Sequence, residues 1–247
     1  MASPSVATTY RETFDQGAGG WIGWDEKGAA PLEARDGAVI SRSPWWVDYN
    51  HAPPGGGYLH ILFALYTARH GKVPEINRTL GGTNRFIGGG YSTDLTNTRF
   101  TFRIKGELNS RGARLVLLVQ GDISPDPAKP FWINQVLTGQ TIGLTPQWSE
   151  QTIQLVPDQK QWTNLGSRHD RRDWYGQAPI ADLLRNVNGD IIVVLFPLDV
   201  RPLRPLRGDS DTPRAGLDYE VDRSRLPEGW VMLDDVTIDF PPGPVTP

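Results

Sequence analysis

The chain has 247 residues, a formal net charge of −3 from 25 basic and 28 acidic residues, no cysteine, and nine tryptophans among 27 glycines and 21 prolines. A chain this long buries enough surface to fold without a disulfide or metal staple, and the interspersed charges exclude a phosphate-tracking surface for nucleic acid. No apolar run approaches the ~20 residues of a membrane span, the best being the strand-length stretch 191–198.

Short alternating runs between turn residues are the dominant local signal, and they predict strands. In chain order these fall at 38–41, 58–64, 98–105, 114–120, 131–137, 150–155, 190–196 and 230–240. Residues 98–105 place Phe100, Phe102 and Ile104 on one face and basic side chains on the other, the mark of a half-buried strand. Residues 114–120 and 190–196 are continuous apolar runs with β-branched members, as expected of central strands covered on both faces. Helical spacing occurs at 179–187, where Ile180, Leu183, Leu184 and Val187 share a face behind a proline. Regular strand spacing with one short helix predicts an all-β, two-sheet antiparallel sandwich. It is read as one domain over 10–240, with flexible ends at 1–9 and 241–247.

Three long segments lack a regular pattern: 43–57, 76–95 and 162–176. Loops of that length in a compact domain serve function or move. The first is the densest in chemistry, with Trp45, Trp46, Asp48, Tyr49, Asn50 and His51 ahead of Pro-Pro-Gly-Gly-Gly. Indoles offer flat apolar area to a sugar or aromatic ring, and Asp48, Asn50 and His51 offer donors and acceptors to hydroxyls. Secondary contributors are Trp132 and Asn134, which share a strand face, and Trp174 and Tyr175 in the charged third segment. The bland alternative is that the tryptophans plug the sandwich and the polar groups brace the loop.

Catalytic readings narrow quickly. The four histidines, 51, 60, 70 and 169, lack metal-ligand spacing, and no nucleophile elbow, phosphate-binding loop or dinucleotide fingerprint occurs. What remains is proton transfer by His51 or by His60 with Tyr58, two residues apart on one strand face and assisted by Arg85 or Arg172.

Two terminal stretches carry a family likeness. The opening Glu-Thr-Phe-Asp-Gln-Gly-Ala-Gly-Gly-Trp of 12–21 and the closing Leu-Asp-Asp-Val-Thr-Ile-Asp of 233–239 resemble those of jelly-roll carbohydrate-binding modules and the wider galactose-binding-like superfamily. The resemblance implies adjacent opening and closing strands, a glycan ligand, and a structural calcium held by Asp15 and Asp235, with Asp234 in reserve. Calcium takes six to eight oxygens, so those carboxylates would need further donors. The chain is much longer than such modules, with the excess in loops. Three readings stay open: a carbohydrate-binding protein, a polysaccharide lyase or related enzyme using His, Tyr and Arg, and a structural domain with its tryptophans in the core. Compartment also stays open: secreted or periplasmic if a leader has been removed, otherwise cytoplasmic.

Overall fold

The structure is a computed structural model, and it describes residues 9–68, 84–126, 128–207 and 212–241. The expected flexible ends lie largely outside these residues, as do His70 and much of the 76–95 segment; Thr9, expected in the flexible N terminus, opens a strand instead.

Two sheets form a β sandwich. The first runs, in spatial order, β10 (Ser149–Gln154), β7 (Arg99–Asn109), β14 (Glu228–Asp239), β5 (Ala38–Arg42) and β4 (Glu33–Arg35), with β1 (Thr9–Glu12) also paired to β14. The second runs β11 (Thr163–Asn164), β9 (Trp132–Val136), β8 (Arg114–Asp122), β13 (Asp190–Leu198), β6 (Tyr58–Tyr66), β2 (Ile22–Asp25) and β3 (Gly28–Pro31). The two-residue β12 (Tyr175–Gly176) lies parallel to β9. Among the described residues, two short helices, α1 (Arg85–Gly88) and α2 (Ile180–Leu184), sit between strands.

The eight predicted strands are all present. Short strands β1 to β4, β11 and β12 were not predicted, because runs of two to four residues give no periodicity to read. The helix is shorter than its apolar spacing suggested, although Val187 beyond its end is still buried. Opening strand β1 and closing strand β14 are antiparallel neighbours, with Tyr10 opposite Ile238.

The inter-sheet core follows from side-chain alternation. On β7, Phe100, Phe102 and Ile104 are fully buried, and Arg99 and Arg103 point outward to Asp239 and Asp234. Phe14 and Trp21 of the opening motif are also core residues, and the Trp21 indole N–H donates to the Tyr10 hydroxyl at 3.0 Å.

The second sheet departs from simple alternation, and that departure positions the site. Leu115, Leu117 and Val119 of β8 and Ile191, Val193 and Leu195 of β13 face the inter-sheet core. Their alternates Val116, Leu118, Ile192, Val194 and Phe196 form a second apolar cluster with Leu59, Ile61, Val136 and Leu165. The sheet's outer face is therefore buried too, as the continuous apolar runs predicted.

Candidate functional site

The outer face of the second sheet carries one row that is not apolar. Strand register sets Asn134 of β9 opposite Gln120 of β8, Gln120 opposite Asp190 of β13, and Asp190 opposite Tyr66 of β6. Two residues further along each strand, the next row on the same face is Val136, Leu118, Ile192 and Ala64. A polar ladder beside an apolar one thus forms the floor of a pocket of about 270 Å³. Its walls are Trp46, Asp48, Asn50 and His51 from the 43–57 loop, Tyr175 of β12, and Trp24 with Gly28 from the β2–β3 hairpin.

The loop holds its shape through backbone bonds at both ends. Asp48 forms a bridge to Leu59, with its N–H donating to the Leu59 carbonyl at 2.9 Å, and its carboxylate accepts the Asn50 N–H at 2.7 Å. Beneath it, the Trp45 indole enters the inter-sheet core and donates to Ser41 Oγ at 2.8 Å. Neighbouring side chains on this stretch point opposite ways, so burying Trp45 directs Trp46 to the pocket.

The 162–176 segment closes the other side. His51 is buried, and its Nδ1 lies 2.8 Å from the Gly166 carbonyl, an acceptor that requires the Nδ1–H tautomer. Its ring meets the Tyr175 ring edge-on at 4.9 Å. The Gly56 N–H donates to the Leu165 carbonyl at 2.5 Å, and a Cβ on Gly56 would stand 2.7 Å from Leu165 Cα. A glycine is needed there for backbone-to-backbone approach. Gly56→Ala is therefore expected to cost about 1–3 kcal/mol by overpacking, read as a lower urea midpoint, because the two walls must part.

Among the described residues the pocket presents two carboxyl groups, Asp48 and Asp190, and one imidazole, His51. Asp190 is buried, its Oδ1 has no hydrogen-bond partner among the described residues, and burial pushes its carboxyl up to about 8. Asn134 Nδ2 and Asn50 Oδ1 are likewise buried and unsatisfied among the described residues. Such groups are rare in folded proteins, since desolvating them unpaired costs about 1–3 kcal/mol each. Burial also raises the Tyr66 and Tyr175 phenols, with the Asp190 charge adding to both. Among the described residues, no lysine or arginine lines the cavity.

Six of the expected site residues meet here: Trp46, Asp48, Asn50, His51, Asn134 and Tyr175. Others do not. Trp45 is a core residue at 2% exposure, so it cannot stack on a ligand. Tyr49 lies behind the wall, 5.5 Å from the Trp46 ring and flanked by the guanidiniums of Arg168 and Arg214. Trp132 shares the Asn134 face as its spacing required but does not line the cavity, and Trp174 is exposed with Arg171 over its ring.

His60 and Tyr58 do share a face, but it is the one turned away from the pocket, since Leu59 and Ile61 between and beside them line it. His60 packs against Trp45 with Nδ1 2.6 Å from the Trp46 carbonyl, and burial drives its imidazole down to about 4, which keeps it neutral. The Tyr58 hydroxyl meets that of Tyr219 at 3.3 Å. Arg85 pairs at 2.7 Å with the fully buried Glu12. The expected His60–Tyr58–Arg85 constellation is thus dispersed.

The expected calcium donors are neighbours, burial and then the Asp235 and Asp15 charges raising the Asp234 carboxyl, but their oxygens are committed to other partners. Asp235 is paired to Arg11 at 3.0 Å, and Asp15 accepts from the Thr13 hydroxyl at 2.7 Å. Asp234 pairs with Arg103, and no cluster of three or more His, Cys, Asp or Glu suited to a metal occurs among the described residues. With a guanidinium on Asp235, this end of the sandwich does not fit a calcium cage.

Trp24, Tyr66, Gln120 and Asp190 line the pocket without having been anticipated. Asp190 carried a signal, as a carboxyl at the head of an otherwise apolar run.

No family model matches the chain, and no curated protein matches it. Among solved structures it is similar to the N-terminal cellulose-binding domain of the Cellulomonas fimi β-1,4-glucanase C, solved by NMR. The two are 17% identical, the match covers 97% of this chain and 98% of that one, and the TM-score is 0.32. The sandwich stands on its own strand pairing, independently of that likeness.

Proposed function

We propose that the outer-face pocket binds a carbohydrate unit. The observation that carries this reading is the ladder Asn134–Gln120–Asp190–Tyr66, a row of side-chain donors and acceptors on four adjacent strands, bordered by apolar surface. A sugar ring presents the complementary pattern, with hydroxyls around its edge and C–H groups on its faces. The half-buried indoles Trp24 and Trp46 in the walls supply flat area for those faces. The unsatisfied Asn134 Nδ2, Asn50 Oδ1 and Asp190 Oδ1 are groups that a polyhydroxylated ligand would pair.

The test is calorimetric titration of a panel of mono- and oligosaccharides into wild type, Trp46→Ala and Asn134→Ala. At least one saccharide is expected to bind, and each substitution to weaken it about tenfold, the equivalent of ~1.4 kcal/mol. A panel that gives no binding, or a Trp46→Ala protein that binds like wild type, would sink the proposal.

A further inference from the structure

The charge of the pocket says more about its ligand than its shape does. Two carboxyl groups, Asp48 from the loop and Asp190 from the floor, face a cavity that no lysine or arginine among the described residues lines. Its remaining titratable groups among the described residues are His51, whose Nδ1 is committed to the Gly166 carbonyl, and the phenols of Tyr66 and Tyr175. An ionised carboxylate buried without a cation carries a desolvation penalty of several kcal/mol. Asp190 avoids that penalty by holding a proton, buried at the head of β13 with Oδ1 unpartnered among the described residues. Around it stand the rings of Trp24, Trp46, Tyr66 and Tyr175, whose faces attract cations.

We infer that the sugar taken by this pocket carries a free, protonated amino group, which pairs with Asp190 and lies among the four aromatic rings. The inference rests on the carbohydrate reading above. A neutral sugar would meet the ladder's hydrogen-bonding groups and leave Asp190 protonated, whereas an ammonium supplies donors together with the charge that pairs with the ionised carboxylate. An N-acetylated sugar has neither the charge nor the three donors. With its carboxyl raised to about 8, Asp190 is protonated at pH 6 in the free protein. Salt-bridging to an ammonium therefore releases a proton.

The experiment compares three β-1,4-linked disaccharides at pH 6 by calorimetry: that of glucosamine, that of N-acetylglucosamine and that of glucose. The amino disaccharide is expected to bind at least tenfold tighter than the other two. Its apparent enthalpy should change with the buffer's ionisation enthalpy by about one proton per site, and its advantage should fall below about threefold in Asp190→Asn. The comparison in wild type stands even if that variant folds poorly. Equal or tighter binding of the glucose or N-acetylated disaccharide overturns the amino-sugar inference and leaves the carbohydrate reading intact. Binding by none of the three, nor by any of the wider saccharide panel, overturns both.

Discussion

At pH 8, Asp190→Asn is expected to be more stable to urea than wild type, by up to about 5 kcal/mol if solvent never reaches the site. The reason is a carboxyl group in mid-sheet whose folded-state value lies near 8, against 3.8 for the unfolded chain. Between those values the folded state holds a proton that the unfolded state has lost. Rising pH therefore removes stability across this window, at up to ~1.4 kcal/mol per pH unit. Asparagine keeps the shape without the charge, so the variant's advantage should be near zero at pH 4 and grow toward pH 8.

His60 supplies the opposite slope. Its imidazole is lowered to about 4 in the fold, so below its ordinary 6.5 the unfolded state takes up a proton first and stability falls with pH. In wild type the two contributions oppose each other between about pH 4 and 6.5. In Asp190→Asn the histidine slope is exposed, and stability should climb with pH across that interval. Urea unfolding of both proteins from pH 4 to 8 measures this, and a pH-independent difference between them would contradict the assignment.

The adjacent indoles should behave as opposites. Trp45→Ala removes a fully enclosed side chain from the inter-sheet core and strands the Ser41 hydroxyl, itself buried. The expected loss is about 3–5 kcal/mol, a large part of the ~5–15 kcal/mol that holds a typical domain together. At this size it corresponds to a melting point lower by roughly 10 °C. Trp46→Ala trims a half-buried wall and should cost about 1 kcal/mol of stability, while saccharide binding weakens about tenfold. Thermal melts and titrations on the two variants separate the roles. Equal destabilisation by both would show that Trp46 is a core residue as well.

That contrast marks the boundary of what the residues foretold. The sequence by itself determined the class of fold: Phe100, Phe102 and Ile104 recur every second residue, and the apolar runs in β8 and β13 mark strands buried on both faces. It also concentrated polar and aromatic residues in the 43–57 loop, four of whose side chains line the pocket. Tertiary structure decided which tryptophan of an adjacent pair goes inward and which strand histidine is turned away from the cavity. Alternation tells which residues share a face, but when both faces are apolar it does not tell which one meets the other sheet. Tertiary structure alone also made the ladder. Tyr66, Gln120, Asn134 and Asp190 are scattered along the chain, and only cross-strand register, fixed by the packing of whole sheets, lines them up.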